Sequence, residues 1–468
     1  MGSLCNKTYI ERPQINRRSA KRHTSILSIK SMYNSGKVLG TGTFGIVRVG
    51  WPKSNPHHKV AIKSIDKGLV KNFEVLRTEV EILVGLDHPN IIRLYESYED
   101  DRYFHIVMEL CEGGELWDSL LNKGHYKEKD AAELMIKILR AVNHLHKINI
   151  CHRDLKPENF MFDSKDHDAE LKLIDFGLSQ KFGSNSKSMT SIVGTPYYVA
   201  PEVLKGSYGF MCDMWSVGVI MFMLLCGDHP FVGKDKEELY SHILQGSYEF
   251  KSVHWRGVSS QAKDLIRKML ALEPKNRITA EEALCHPWFG FTETNEIHVS
   301  PGIIASLKHF KLSSSFQKEV LAYFVNELNH DQIKDLKEAF NSLDTHKNGF
   351  ITLSDFITVI ANSEEHPKTR EIEALFWNLD YNKDGRINYS EFLAATLESK
   401  HIINEEKLWS AFRHFDPNNT GKITAISLKS ALRRAGKVNV DADELIREVD
   451  YDKDGGVNFE EFRKIVQG

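Results

Sequence analysis

The sequence predicts an α+β domain followed by an all-α domain. The first is indicated by a strand-rich region beginning near Tyr33, where β-branched residues flank a glycine cluster in "VLGTGTFGIVRVG" (38–50). The second is indicated by an internal repeat, whose loops begin at residues 344, 380, 416 and 450. The chain of 468 residues is long enough for two or three domains.

The composition is that of an ordinary soluble protein without a dominant charge. Hydrophobic residues make up 41% of the chain and charged residues 27%, with a formal net charge of −3. This balance provides no basic field, so we expect no nucleic-acid partner. The six cysteines include no C-x-x-C pair, which favours free thiols in a reducing compartment. The longest apolar run, 215–227, is too short to span a bilayer and predicts a buried helix.

Residues 1–32 form a basic segment that we expect to be disordered. Gly2 is available for myristoylation and Cys5 for palmitoylation, although Asn6 stands where the myristoylation motif has Ser or Thr. The basic residues between 12 and 22 would supply the second membrane signal that a single acyl chain needs. A solvated tail is the alternative. The expected location is the cytoplasm, with membrane association through the acylated tail left open.

Short motifs follow in a fixed order. The glycine-rich segment is followed by "VAIK" (60–63), "HRDLKPEN" (152–159), "DFG" (175–177) and "APE" (200–202). A dinucleotide-binding motif would need a helix directly after the glycines, but Val47 continues the strand. The order and spacing are instead those of the protein-kinase signature set.

Residues 33–289 therefore resemble the eukaryotic-type protein kinases. The resemblance implies a two-lobed α+β protein-kinase fold that uses ATP and Mg²⁺. It also implies that Lys63 binds the α- and β-phosphates and pairs with Glu79. The remaining roles fall to Asp154 for the substrate hydroxyl, Lys156 for the γ-phosphate, and Asn159 and Asp175 for Mg²⁺. An inactive relative usually has one of these residues replaced, and this sequence keeps them all.

The same resemblance assigns the nucleotide pocket. Met108 corresponds to the gatekeeper at the back of the adenine pocket, and the backbone of Glu109 and Cys111 meets the adenine edge. The other residues expected around the nucleotide are Leu39, Gly40, Gly42, Gly45, Val47, Ala61 and Glu115. In similar kinases, Glu115 and Glu158 pair with Arg before the phosphorylated Ser or Thr, whereas solvated carboxylates are the alternative. The expected partners are therefore protein substrates with basic residues before Ser or Thr.

Further contacts are expected to support the kinase domain. Asp213 would brace the catalytic loop from a buried helix, and Glu202 would pair with Arg277. Ser191 stands where many similar kinases carry an acid, so a phosphate there would supply the missing charge to Arg153. An exposed Ser without a regulatory role is the alternative.

The four repeated loops, numbered one to four in chain order, follow the EF-hand pattern to different extents. Loop two (380–391) offers Asp380, Asn382, Asp384, the Arg386 carbonyl and Glu391. Loop four (450–461) offers Asp450, Asp452, Asp454, the Gly456 carbonyl and Glu461. A simple Gly–Asp turn does not account for two complete matches between apolar helices. Both loops are predicted to bind Ca²⁺, and residues 331–468 to form a calmodulin-like EF-hand domain.

The other two loops depart from the pattern. Loop one (344–355) has His346 at position 3 and Asp355 at position 12, so we expect it to bind calcium weakly. Loop three (416–427) ends in Ser427 and is expected to bind none at physiological concentrations. All four keep an apolar position 8 for a short β-ladder, namely Ile351, Ile387, Ile423 and Val457. Each imperfect loop is therefore expected to be a scaffold for its intact neighbour.

Residues 290–330 connect the two domains through an amphipathic segment. Apolar residues recur at helical spacing and include Phe310, Phe316, Val320 and Phe324. EF-hand lobes bind such helices when calcium opens them. With this junction helix, nearly the entire chain resembles the calcium-dependent protein kinases of plants and protozoa. In that family the junction inhibits the kinase until calcium-loaded lobes remove it, whereas a plain packing helix is the alternative.

The resemblance predicts a calcium-activated serine/threonine protein kinase. Two other classes stay open, namely a calcium-sensing scaffold with an inert kinase fold, and a kinase activated by separate calmodulin. The intact catalytic residues argue against the first, and the complete ligand sets of loops two and four argue against the second. Ranked by ligand carboxylates, loop four is expected to fill first and loop two to be the trigger.

Overall fold

The structure is a computed structural model. It describes residues 28–42, 45–70, 73–181, 189–191, 193–251, 253–291, 299–310, 312, 314–328, 330–360, 368–397 and 403–467. The basic tail with Gly2 and Cys5 lies outside these residues. None of the described helices combines the length and apolar character that a membrane crossing requires. The cysteines within the described ranges are free thiols, as expected.

The first lobe of the kinase domain is an antiparallel sheet with one long helix. A short helix, α1 (Ile29–Met32), precedes the sheet. The other elements are β1 (Tyr33–Gly42), β2 (Gly45–Pro52), β3 (Val60–Asp66), α2 (Phe73–Val84), β4 (Leu94–Glu99) and β5 (Tyr103–Glu109). The spatial order of the strands is β1-β2-β3-β5-β4, so the predicted strand–turn–strand segment is the β1–β2 hairpin at one edge.

The glycines of this hairpin serve different purposes. A Cβ on Gly45 would lie 2.2 Å from the carbonyl oxygen of Ser64, so only glycine allows β2 and β3 to approach here. A Cβ on Gly40 or Gly42 would meet no atom of the described residues within 4 Å. The backbone of these two glycines is therefore open to a ligand.

The second lobe is helical and surrounds one buried helix. Its elements are α3 (Leu116–Lys123), α4 (Glu128–Lys147), β6 (Ile150–Cys151), β7 (Phe160–Phe162), β8 (Leu171–Leu173), β9 (Gln180–Lys181), α5 (Pro201–Leu204), α6 (Met211–Cys226), α7 (Lys236–Gln245), α8 (Ser260–Met269) and α9 (Ala280–Leu284). Every residue of α6 from Cys212 to Cys226 is buried, which confirms the predicted buried helix. The predicted pair also forms, with Arg277 donating to Glu202 at 2.6 and 3.1 Å.

The junction consists of two helices, α10 (Pro301–His309) and α11 (Ser315–Asn326), so the prediction of a single junction helix was wrong. Ser314 is the N-cap residue of α11, and its hydroxyl accepts the backbone N–H of Gln317 at 3.0 Å. The expected apolar stripe is present, because Phe316, Val320 and Phe324 are buried in one core with the EF-hand helices. Helix α11 is thus enclosed by the second domain.

The EF-hand domain contains four helix–loop–helix units in two pairs. Its elements are α12 (His330–Leu343), β10 (Ile351–Thr352), α13 (Leu353–Ile360), α14 (Thr369–Leu379), β11 (Arg386–Ile387), α15 (Tyr389–Thr396), α16 (Glu405–Phe415), β12 (Lys422–Thr424), α17 (Ala425–Arg434), α18 (Ala442–Val449), β13 (Gly456–Asn458) and α19 (Phe459–Gln467). The predicted ladders form, with Ile351 opposite Ile387 and Ile423 opposite Val457. Each imperfect loop is therefore paired with an intact one.

A buried ion pair joins the two domains. Arg434 Nε, at the end of α17, donates to Glu96 Oε1 on β4 at 2.8 Å. The hydroxyls of Tyr33 and Tyr98 donate to Glu96 Oε2 at 2.8 and 2.7 Å. Burial raises the pKa of Glu96, but the charge of Arg434 and the hydrogen bonds from Arg434 and Tyr98 outweigh it, so the pKa is lowered. Glu96 therefore stays charged at the domain interface.

Candidate active site and calcium sites

The segment 152–159 connects β6 to β7 and is supported by α6. Asp213 accepts the backbone N–H groups of His152 and Arg153 at 2.9 and 2.8 Å, and His146 Nε2 lies 3.0 Å from the same carboxylate. Arg153 has a φ of 71°, which is strained for a non-glycine residue and is held by these bonds. The predicted brace is confirmed, and it sets the direction of Asp154.

Asp154 lies in a network of polar side chains. Thr195 Oγ1 donates to Asp154 Oδ1 at 2.8 Å, and Lys156 Nζ lies 3.1 Å from Asp154 Oδ2. The Asn159 amide nitrogen donates to the Asp154 carbonyl at 2.7 Å, which leaves the Asn159 amide oxygen for another partner. A carboxylate and an ammonium are thus held side by side, as transfer of a phosphoryl group to a hydroxyl requires.

A second cluster of charged side chains connects β3 with the segment after β8. Lys63 Nζ lies 2.8 Å from Glu79 Oε1, which is the predicted pair. Burial lowers the pKa of Lys63, but the carboxylates of Glu79 and Asp175 outweigh it, so the pKa is raised and Lys63 stays charged. Asp175 is exposed. Its carboxylate and the Asn159 amide oxygen are hard oxygen donors that fit Mg²⁺.

The residues assigned to the adenine pocket lie on adjacent strands. Met108 is opposite Ala61, and Val47 is opposite Lys63. Glu109 donates its N–H to the Arg93 carbonyl at 2.9 Å, so this N–H is already used within the kinase domain. The Glu109 side chain pairs with Lys172 at 2.8 Å. Of the other assigned residues, Leu39 is exposed on β1, and Cys111 is half-buried after β5 with a thiol pKa raised by burial.

Two neighbouring carboxylates belong to Glu115, just before α3, and to Glu158, within the segment 152–159. Burial raises the pKa of Glu115, and the carboxylates of Asp118 and Glu158 raise it further. Glu158 Oε2 is buried and has no hydrogen-bond partner among the described residues. A buried acceptor of this kind favours a cationic donor from outside the chain.

Loop two has the arrangement of a calcium loop. Asp380 Oδ1 accepts the N–H of Asp384 at 3.1 Å, and Glu391 accepts the N–H groups of Asn382 and Asn388 at 3.1 and 2.8 Å. Burial, together with the Asp384 and Asp380 carboxylates, raises the pKa of Glu391 to about 7. Carboxylates that disfavour one another's charge in this way favour a bound cation, so the donors fit Ca²⁺.

Loop four gathers the largest number of carboxylates. Oxygens of Asp450, Asp452 and Asp454 lie within 4.8 Å of one another. Glu461 follows at position 12 and is buried. This donor set also fits Ca²⁺. Lys422 of loop three forms an ion pair with Asp454, so the neighbouring loop adds a positive charge to the same group.

Loop three closes through its own side chains. Thr420 Oγ1 donates to Asp416 Oδ1 at 2.9 Å. At position 12, Ser427 Oγ accepts the N–H of Thr424 at 3.0 Å, and Thr424 Oγ1 accepts the N–H of Ser427 at 3.2 Å. Ser427 therefore completes a capping box with Thr424, the N-cap residue of α17, at the position where a calcium loop would use Glu as a ligand.

The structure brings Asp154, Lys156 and Asn159 together within 152–159 and places Lys63 beside Glu79 and near Asp175. The predicted calcium ligands come together within their loops. The motifs missed Thr195, although its hydroxyl in the signature segment "GTPYY" was an available signal. They also missed Glu96 and Arg434, which lie 338 residues apart and carry no local pattern.

Comparisons with known proteins agree with this geometry. The protein kinase domain model matches residues 33–289, and the EF-hand domain pair model matches 333–397 and 405–467. The chain is similar to Calcium-dependent protein kinase 17 of Arabidopsis thaliana, with 41% identity over 93% of this chain and 83% of the relative. It is 46% identical to Calcium-dependent protein kinase 4 of the same plant, over 94% of this chain and 88% of the relative. It is 38% identical to Calcium-dependent protein kinase 3 of Plasmodium yoelii yoelii, over 72% of this chain and 63% of the relative. The chain therefore belongs to the calcium-dependent protein kinases, calcium-activated enzymes that transfer the ATP γ-phosphate to protein Ser and Thr.

Proposed function

We propose that this kinase prefers Ser or Thr preceded by basic residues, and that its junction inhibits it until the calcium-loaded EF hands enclose the junction. In the proposed catalytic arrangement, Asp154 orients the substrate hydroxyl and accepts its proton, while Lys63 and Lys156 neutralise phosphate charge. Asn159 and Asp175 hold Mg²⁺, which neutralises the phosphate oxygens when it is bound.

The substrate preference rests on the buried Oε2 atom of Glu158 that lacks a partner among the described residues. An arginine before the phosphorylated residue would donate to this oxygen and would relieve the repulsion that raises the pKa of Glu115. A neutral substrate side chain would leave Glu158 Oε2 without a partner, so a substrate without this arginine would bind with a less favourable free energy.

Peptide kinetics test this preference. We expect Glu158→Gln to reduce kcat/KM about 10- to 100-fold for an Arg-x-x-Ser peptide, because a hydrogen bond to a charged group is lost. For an Ala-x-x-Ser peptide the same variant should change little. Asp118→Asn, an exposed neighbouring charge, is the matched control. Equal losses on both peptides would contradict the proposed role of Glu158.

The proposed switch is supported by the environment of α11. Phe316, Val320 and Phe324 are buried among the EF-hand helices, and Lys318 lies 4.8 Å over the ring of Tyr381 in loop two. The segment proposed to inhibit the kinase is thus covered by the EF-hand domain in this structure. In the proposed resting state the lobes release it.

Disrupting this enclosure in the full chain tests the switch. We expect Phe324→Ser to abolish activation by calcium while the activity without calcium stays low, because the lobes lose the surface that they grip. Tyr323→Phe, a half-buried neighbour, should retain activation. If Phe324→Ser is activated by calcium like the unmodified enzyme, the junction is a plain packing element.

We also propose that phosphorylation of Ser191 raises activity. Ser191 is exposed, and its carbonyl accepts the Tyr208 hydroxyl at 2.6 Å. Arg153 interacts with the same tyrosine, so the cation expected to receive the phosphate is nearby. We expect Ser191→Asp to exceed Ser191→Ala in calcium-saturated rate, and equal rates would refute the idea.

The proposed location is the cytoplasm, with a membrane-associated fraction that depends on acylation of Gly2 and Cys5. Fractionation of cells expressing Gly2→Ala tests it. A membrane fraction that does not fall in this variant would contradict anchoring through the tail.

A further inference from the structure

Loop one faces the kinase domain and contacts α4 through its backbone. Asn143 Nδ2 donates to the Lys347 carbonyl at 3.0 Å, and His144 Nδ1 lies 3.2 Å from the Asn348 carbonyl. The next loop residue, Gly349, is packed so closely that a Cβ would lie 2.5 Å from His144 Nδ1 and 2.4 Å from His88 Cδ2. The turn of the loop thus fits against the kinase surface without space for a side chain.

Phe350 extends the same contact. The centroid of the Phe350 ring lies 4.7 Å from the centroid of the His144 ring. On the other side, the guanidinium carbon of Arg386, a residue of loop two, lies 3.8 Å from the Phe350 centroid. Phe350 and His144 are both buried. An aromatic ring between an imidazole and a guanidinium contributes favourable contacts beyond its buried area.

The interior of loop one does not fit calcium. Asp355, at position 12, is fully buried, and its Oδ1 atom contacts His346 Nδ1 at 2.6 Å and the Thr345 hydroxyl. Its Oδ2 atom accepts the N–H of Thr352 at 2.9 Å. The side chains at positions 3 and 12, which would be ligands in a calcium loop, therefore bond to each other.

We propose that loop one is a docking element for the kinase domain rather than a calcium site. Its closed conformation presents two backbone carbonyls and the Gly349–Phe350 corner to α4. The loop attaches the EF-hand domain to the kinase domain without a requirement for calcium of its own. This replaces the weak calcium site expected from the sequence, and it does not depend on the proposed substrate preference.

Glycine variants in two loops separate docking from loop strain. Gly349 and Gly421 occupy the same position 6 of loops one and three, with φ values of 79° and 83°. A Cβ on Gly421 would meet no described residue within 4 Å, whereas on Gly349 it would collide with the kinase domain. Alanine therefore imposes similar backbone strain in both loops but disturbs the interface only in loop one.

The measurement is amide hydrogen exchange of residues 140–147 in the full, calcium-loaded chain. We expect exchange there to accelerate about tenfold or more in Gly349→Ala and to stay unchanged in Gly421→Ala. Asn143→Ala, which leaves the EF-hand sequence intact, should accelerate it in the same direction. Equal exchange in the two glycine variants would overturn the proposal.

Calorimetry with calcium chloride provides the second measurement. We expect the number of calcium ions bound by the full chain to be the same with and without Asp355→Asn. Loss of one bound ion in Asp355→Asn would show that loop one is a calcium site and would also overturn the proposal. Neither measurement uses kinase activity, so failure here is distinguishable from failure of the proposed function.

Discussion

Replacing Arg434 with methionine should loosen the EF-hand domain from the kinase domain. Arg434 and Glu96 are 2% and 4% exposed, so water screens their interaction little. Two unit charges about 4 Å apart interact by about 4 kcal/mol at an effective dielectric constant of 20. Removing one partner of a buried pair typically costs about 3–5 kcal/mol, because the other charge stays buried. Since separation of the domains would return Glu96 to water, we expect this cost to weaken docking.

A double-mutant cycle measures the contribution of the pair. The four full-length proteins are the unmodified chain, Arg434→Met, Glu96→Gln and the double variant, all loaded with calcium. Hydrogen exchange of residues 94–99 and 425–434 reports how often the interface opens. Each single variant should expose both segments, and the double variant should recover part of the protection because no unpaired charge remains.

Two results would refute this reasoning. One is normal protection in Arg434→Met, which would mean that the ion pair does not hold the domains together. The other is simple additivity of the two single changes, which would mean that the side chains do not interact. A coupling energy of about 2 kcal/mol or more is expected for a pair buried to this extent.

Three other predictions concern catalysis, calcium and pH. Asp175→Asn should abolish phosphoryl transfer without altering the circular dichroism spectrum, because a charge that holds Mg²⁺ is lost, and retained activity would contradict that role. In kinase assays, Glu391→Gln should be inactive at any calcium concentration, whereas Glu461→Gln should reach full activity at a higher calcium concentration. The reverse pattern would make loop four the trigger. Burial lowers the pKa of His144 and of His414 to about 4, so both are neutral when the domains are docked. In the separated domains each histidine regains the ordinary pKa of about 6.5, so below that pH the separated state binds more protons than the docked state. Docking therefore weakens by about 1.4 kcal/mol per pH unit per histidine as the pH falls from about 6.5 towards 4. Small-angle scattering between pH 7.5 and 5 should show the chain expanding, and a pH-independent radius of gyration would disprove this.

The parts of the protein that sequence predicted well are those whose chemistry depends on local spacing. The contact between Lys63 and Glu79, the brace from Asp213 and the two β-ladders follow from motifs in which each position has a defined partner. A continuous apolar run identified α6, which is buried on all sides. Hydrophobic periodicity identified the apolar face of α11, because burial of one helix face leaves a repeating pattern in the chain.

The features that escaped prediction depend on contacts between distant segments. Periodicity alone did not reveal the break between α10 and α11, although Ser314 is a residue type that favours helix starts. Glu96 is one glutamate on a strand, and nothing near it in sequence indicates Arg434 as its partner. The sequence showed that loop one departs from the calcium-ligand pattern. It did not show that the loop contacts α4, because that contact depends on where the kinase domain lies.

Arg386 connects a calcium loop to the kinase domain in a single stack. Its carbonyl is the proposed position-7 ligand of loop two, while its guanidinium covers Phe350, which in turn lies on His144 of α4. Two equilibria that share such an element must alter each other by the same factor. Calcium affinity is then a property of the whole enzyme, and we expect the EF-hand domain measured by itself to differ in calcium affinity from the intact chain by the factor that calcium imposes on docking.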